Sequence, residues 1–237
     1  MKDQILFTIY DIFDQWNNGL VKVCRRGCSS CCTQNVTITA VEGVAILRYI
    51  LAKDMNLWLA EKLASPRTHQ PPKMTTNDFA KACIEGREVD PGNRDNLSTC
   101  PFLENNLCQI YPARPFGCRL FVSTKTCSSL HPAQMTDSYF EATTAVTQLI
   151  EHLGQKEYWG NMLDVLPALL DISEFREIAD HVSSIMIIQA RLQTLTAKPL
   201  PGFLLSEEYA DKVSTLLQAI FDSDVNGRRV EDVLNGN

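Results

Sequence analysis

Apolar residues recur at helical spacing over most of this chain. Ile5, Leu6, Ile9, Ile12, Phe13 and Trp16 share one face, with Asp3, Asp11 and Asp14 opposite. That period predicts an amphipathic helix over residues 3–17, ended by Asn17-Asn18-Gly19. Residues 21–32 carry no helical period, and 36–39 read as a short extended piece. Thr39 followed by Glu42 has the form of a capping box. It predicts a helix carrying Val44, Ala45, Leu47, Tyr49, Ile50 and Leu51, with another over 55–64. A Pro-rich loop spans 65–72, a short helix fits 77–86, and Asp90-Pro91-Gly92-Asn93 marks a turn. The stretch 98–132, with Pro101, Pro112, Pro115, Gly117 and Pro132, reads as an irregular loop. Helical patterning resumes at Asp137 and Ser138 and runs to Leu153 and Gly154. Further helices are expected over 158–170, 173–195 and 206–222, the last two separated by Lys198-Pro199-Leu200-Pro201-Gly202. The run Ile185-Met186-Ile187-Ile188 is expected inside a buried helix, and the polar tail from Asp224 is expected to fray. No strand–helix alternation signals a parallel sheet.

The predicted fold class is therefore mainly α: an irregular helical domain with two cysteine-rich metal-binding loops. Residues 1–132 form the cysteine-bearing region and 133–225 a helical region packed on it, leaving 226–237 as the tail. The division within 1–225 is compatible with one domain.

Composition changes this picture mainly through cysteine. The 237 residues include nine. An odd number leaves one over from any closed disulfide framework, and a chain this long buries a core without disulfides. Cys24, Cys28, Cys31 and Cys32 lie within nine residues, and Cys100, Cys108, Cys118 and Cys127 within 28. Cys83 stands alone and is expected to be a buried structural thiol. The net charge of −6 argues against a nucleic-acid partner held by bulk electrostatics. No apolar run reaches the 18 or so residues of a membrane span, and the N-terminus lacks a signal-peptide pattern. A cytoplasmic protein without membrane association is expected; a protein partner is left open.

A C-x2-C spacing lets two thiolates meet one metal across a tight turn, which Gly27 helps to shape. Asn105-Asn106 suits a turn that would face Cys100 toward Cys108. Ligands are thus expected among Cys24, Cys28, Cys31, Cys32, Cys100, Cys108 and Cys118, with Cys127 a possible further one. His131 reads as exposed rather than ligating. A sulfur-dominated site selects zinc, an iron–sulfur cluster or a copper(I)-type ion over magnesium or calcium. Iron–sulfur is the first expectation, because the C-x2-C run and the Cys100-Pro101 pair look like ferredoxin ligation; zinc is the second. Arg114 and Arg119 flank Cys118 and are expected to support it from behind, donating to sulfur, a carboxylate or a carbonyl. Arg25 and Arg26 read as a solvated pair and Tyr111 as a core or rim aromatic.

These residues also carry a family likeness. Cys24, Cys28, Cys31 and Cys32, followed by Cys100, Pro101, Cys108, Ile110, Tyr111, Arg114, Pro115, Cys118 and Arg119, resemble the YkgJ-type cysteine-cluster family. That family is described as zinc- or iron-chelating. The likeness covers about 24–122; the first gap holds three residues where the commoner form has two. A weaker likeness exists to flagellin lysine methylases, without their later basic motif or a Gly-rich loop for a methyl donor. The C-x3-C-x2-C spacing is that of radical S-adenosylmethionine enzymes, whose following strand–helix alternation is absent here. No motif names a reaction. The expected role is metal binding for redox chemistry or metal handling. An enzyme using the cluster and a zinc-stabilised interaction scaffold are the alternatives.

Overall fold

The computed structural model describes residues 1–25, 27–92, 98–128 and 131–236. The chain is mainly helical with a few short strands. Helix α1 (Lys2–Trp16) buries Ile5, Leu6, Ile9, Tyr10 and Phe13, the face its period predicts. Strand β1 (Thr37–Thr39) leads into α2 (Ala40–Ala52), where the Thr39/Glu42 capping box is formed in both directions. Helices α3 (Asn56–Leu63) and α4 (Thr76–Ile84) follow.

Residues 98–122 are more regular than the sequence suggests. They contain the two-residue strands β2 (Leu103–Glu104) and β3 (Leu107–Cys108), a 3-10 turn at Tyr111–Ala113 and the short helix α5 (Phe116–Arg119). Asn105 and Asn106 both take positive φ, 49° and 61°, as a tight hairpin turn of this hand requires. Helix α6 (Asp137–Leu153) is capped by Thr136 and ends at Gly154.

The expected helix over 158–170 is corrected at its start. Tyr158–Asn161 is strand β4, and helix α7 covers only Met162–Ala168. β4 pairs antiparallel with β1, Ile38 opposite Gly160, and on its other edge with β5 (Leu195–Thr196). The expected helix over 173–195 is also broken, into a 3-10 turn, α8 (Arg176–Ala179) and α9 (Ser184–Gln193). In α9 only Ala190 is buried; Ile185, Ile188 and Leu192 are 65%, 57% and 78% exposed, so the apolar run there is not a core helix. Helix α10 (Ala210–Phe221) precedes the hairpin β6 (Asp224–Val225) and β7 (Arg228–Arg229) and then α11 (Val230–Leu234). The end of the chain is not frayed there: Val225, Val230 and Leu234 are buried.

Two apolar clusters organise the molecule. The first joins α1, α6 and α10 with Val225, Val230 and Leu234. The second joins β1, α2, α3 and α7 with Phe102, Ile110, Phe175 and Ile178. Helix α2 serves both, through Val41 in one and Ile46, Leu47 and Ile50 in the other. Its approach to α7 depends on Gly43, where a β-carbon would stand 2.6 Å from Leu169 Cδ1. No helix among the described residues is long and apolar enough to cross a membrane.

Candidate metal centre

The two cysteine segments are joined by backbone. Thr33 and Thr99 form an antiparallel bridge, Gln34 N–H donates to the Ser98 carbonyl at 2.9 Å, and Cys100 N–H donates to the Cys32 carbonyl at 3.0 Å. Tight turns shape the first segment: Cys28 N–H reaches the Arg25 carbonyl and Cys32 N–H the Ser29 carbonyl, both at 2.9 Å. Gly27 between them has φ +88°, the conformation its sequence position suggests. In the second segment the hairpin sets Cys108 opposite Leu103. Cys118 stands on α5, which starts where Pro115 ends an extended backbone.

This scaffold brings Cys24, Cys28, Cys31, Cys32, Cys100, Cys108 and Cys118 to one open cavity of about 280 Å³. Its other walls include Phe102, Ile110, Val122 and Met162, and Asp14 is its single carboxylate among the described residues. All nine cysteines are free thiols. Among the described residues no three His, Cys, Asp or Glu side chains already stand at metal-binding separation. A metal would therefore have to draw the thiols together. The donor set suits a thiophilic ion: sulfur abounds, oxygen is scarce, and no His lines the cavity.

The thiols differ in environment. Burial raises Cys118 well above the ordinary thiol value, with the charges of Cys100, Cys108 and Cys31 adding to the shift. Burial pushes Cys100 up to about 11. Cys108 is raised by burial and eased back by its hydrogen bond to the Ile110 backbone and by the Arg114 charge. Cys31 shares a hydrogen bond with Cys32, which raises Cys31 and lowers Cys32. Cys32 also feels Cys118, Cys100 and Cys108. A cation placed among these sulfurs removes the repulsion and the burial penalty together.

The two arginines divide their work. Arg119 is a clamp: Nε donates to the Arg114 carbonyl at 3.0 Å, Nη2 to the Pro112 carbonyl at 3.4 Å, and Nη1 pairs with Asp14 at 3.4 Å. Its guanidinium also lies 4.5 Å from the centre of the Tyr10 ring. Arg114 lines the cavity, stacks 3.7 Å above the Tyr111 ring and donates to the Tyr111 carbonyl at 3.3 Å. Tyr111 is exposed at the rim. Arg25 lines the cavity too, whereas Arg26 lies outside the described residues, as do Asn93, Ser129 and Leu130.

Cys127 does not line this cavity. It faces a neighbouring one, with Cys24 and Cys28. His131 is exposed, its Nδ1 3.2 Å from Ser128 Oγ. Cys83 is exposed on α4, not buried as its isolation suggested.

Two buried polar groups support the site without having been singled out for it. Glu42, read only as a helix cap, also accepts from Tyr10 Oη and from Phe116 N–H, both at 2.8 Å, and so pins the start of α5. Asp164 on α7 accepts from Arg67 at 3.1 Å and faces His69 Nε2 at 2.7 Å. This fastens the 65–70 loop, whose Thr68 N–H donates to Gln34 beside the backbone bridge. The capping signature was the only sequence signal for Glu42; nothing local linked Asp164 to partners 95 and 97 residues away.

A family model, CxxCxxCC, described as a putative zinc- or iron-chelating domain, matches residues 23–146. No curated protein and no solved structure matches the chain.

Proposed function

The chain belongs to the CxxCxxCC family, and we propose that it is a metal-binding protein whose inner thiols Cys32, Cys100, Cys108 and Cys118 hold zinc or an iron–sulfur cluster. The observation that carries this reading is the convergence of these four sulfurs. They come from the first cysteine turn, the segment leading to β2, the β3 strand and the α5 helix, and all four line the one cavity. Four sulfurs complete either a tetrahedral zinc site or one cluster. The cavity volume of about 280 Å³ leaves room for a cluster as well as a single ion. Arg114 supplies a cation close enough to influence Cys108, which offsets part of the excess thiolate charge. Thiols kept for metal need a reducing compartment, which supports a cytoplasmic setting. The roles that fit are electron transfer, metal handling and structural support.

Anaerobic purification from cells replete in both metals tests the proposal. Iron with sulfide and a visible absorbance that bleaches on reduction identify a cluster; a colourless protein with stoichiometric zinc identifies the single-ion site. Cys118→Ser should lose that metal. A folded, metal-free product from such cells would overturn the reading.

A further inference from the structure

The thiols of this protein fall into two groups that rest on different parts of the core. Cys100, Cys108 and Cys118 pack against the second apolar cluster, around Phe102 and Ile110. Cys24 packs against the first, around α1 and α6. Cys24 and Cys28 also line a separate opening of about 490 Å³, whose far wall is Thr126 and Cys127. Val23 N–H donates to the Ser123 carbonyl at 2.9 Å, which ties the 21–25 segment to the strand of chain leading to Cys127. Cys127 lines only this outer opening, whereas Cys31, Cys32, Cys100, Cys108 and Cys118 line only the inner cavity.

We propose that Cys24, Cys28 and Cys127 form a second, outer metal site, separate from the inner four thiols, for a thiophilic divalent ion such as zinc. This rests on the reading of the inner thiols as the primary metal centre. Three sulfurs leave one tetrahedral position to water or an exchanging ligand, as in zinc sites that are not purely structural. The surroundings suit such a site. Cys28 is exposed and Cys24 and Cys127 are half-buried, so an ion can arrive from solvent. Arg25 lines the same opening and places a cation beside these thiols. Gly27 lets the turn between Cys24 and Cys28 keep a positive φ as the sulfurs close on the ion. The outer ion is held by fewer sulfurs than the inner one and is therefore the weaker and the more readily exchanged of the two.

Cobalt(II), a spectroscopic stand-in for zinc, is titrated into chelator-stripped full-length protein under anaerobic, reducing conditions. Thiolate-to-cobalt absorbance should grow in two steps and saturate at two equivalents per chain. Cys127→Ser, a change at a half-exposed loop position, should lose the weaker equivalent and keep the tighter one. Cys118→Ser should lose the tighter and keep the weaker. Alkylation mapped by mass spectrometry gives a readout independent of affinity: the second equivalent should protect Cys24, Cys28 and Cys127 together. A single equivalent that Cys118→Ser abolishes and Cys127→Ser leaves intact overturns the outer site while the inner one stands. A single equivalent abolished by either change makes all the thiols one centre and also overturns the proposal. Absence of any cobalt–thiolate absorbance overturns both sites.

Discussion

Glu42 accepts the backbone N–H of Phe116 at 2.8 Å, a contact across 74 residues of sequence. The same buried carboxylate accepts from Tyr10 Oη and from Thr39 N–H, so one side chain orients α1, the start of α2 and the helix that carries Cys118. Glu42→Ala leaves the Tyr10 hydroxyl and the Thr39 N–H without this acceptor, while the Phe116 N–H keeps Tyr10 Oη at 3.1 Å; each stranded donor costs roughly 1–3 kcal/mol when no water replaces the carboxylate. Urea unfolding should show a loss of at least about 2 kcal/mol. Glu42→Gln keeps one acceptor oxygen and should lose less. Equal stability of Glu42→Ala and the unmodified protein would remove this residue from the support of the site.

Glu151 on α6 sets a pH dependence remote from the thiols. Its oxygens accept from Asn77 N–H at 2.8 Å and Lys198 N–H at 2.9 Å. Burial raises its pKa, and these hydrogen bonds only partly oppose the shift. A carboxyl whose folded pKa is raised holds its proton more tightly in the folded state. Its favourable contribution is complete below the unfolded value of about 4.3 and is lost as pH rises through the folded one. Relative to Glu151→Gln, the unmodified protein should therefore lose stability as pH rises above about 4.3. Denaturant midpoints of the two proteins across that range check it; parallel profiles would contradict the raised pKa.

Asp164 is buried and faces both Arg67 and His69. Asp164→Ala leaves the partly exposed Arg67 guanidinium only its bond to the Leu63 carbonyl and removes the partner of the buried His69 ring nitrogen, at a cost of about 1–3 kcal/mol. The 65–70 loop should detach first. Limited trypsin digestion should cut after Arg67 in the variant under conditions where the unmodified chain resists. A resistant variant would show that Gln34 alone secures the loop.

Arg114→Lys separates charge from shape. The substitution keeps a cation near Cys108 and loses the planar stack on Tyr111. Metal retention in chelator competition should fall about 10-fold or more, nearly as far as for Arg114→Ala. Retention equal to that of the unmodified protein would reduce Arg114 to a nearby charge.

Metal removal should act unevenly along the chain. Amide exchange over residues 21–32 should quicken, because that stretch has few backbone hydrogen bonds of its own. The amides of Gln34 and Cys100 should stay protected, since their acceptors are backbone carbonyls of the opposing segment. The helices of the first apolar cluster should be unchanged. Uniform quickening in hydrogen-exchange mass spectrometry would mean that the metal, not the backbone bridge, holds the segments together.

How much of this was legible in sequence depended on the range of the interaction. The capping box at Thr39 and Glu42, the Asn105-Asn106 turn and the face of α1 are local patterns, and each formed as its residues imply. Strand β4 was missed because Tyr158, Trp159, Met162 and Leu163 recur at a spacing that one helix face also gives. The extended half of that stretch exists only because β1 and β5 offer ladders on both sides. The apolar run in α9 misled in the opposite sense: apolar character alone did not show that the core leaves most of that helix uncovered. For the site, seven of the clustered cysteines line one cavity. Cys127 facing Cys24, and Glu42 beneath α5, depend on tertiary placement that no spacing encodes.

The bridge between Thr33 and Thr99 has a kinetic consequence. A binding site assembled from distant segments ordinarily waits for the chain to close a long loop, a search slowed by its entropy. Here backbone hydrogen bonds between the two segments make that closure. What remains is reorientation of side chains around an open cavity, a motion of picoseconds to nanoseconds for exposed groups. Capture of the ion should then run at the pace at which it sheds its own water and meets a deprotonated sulfur. Lengthening the loop after α4 should leave that pace untouched.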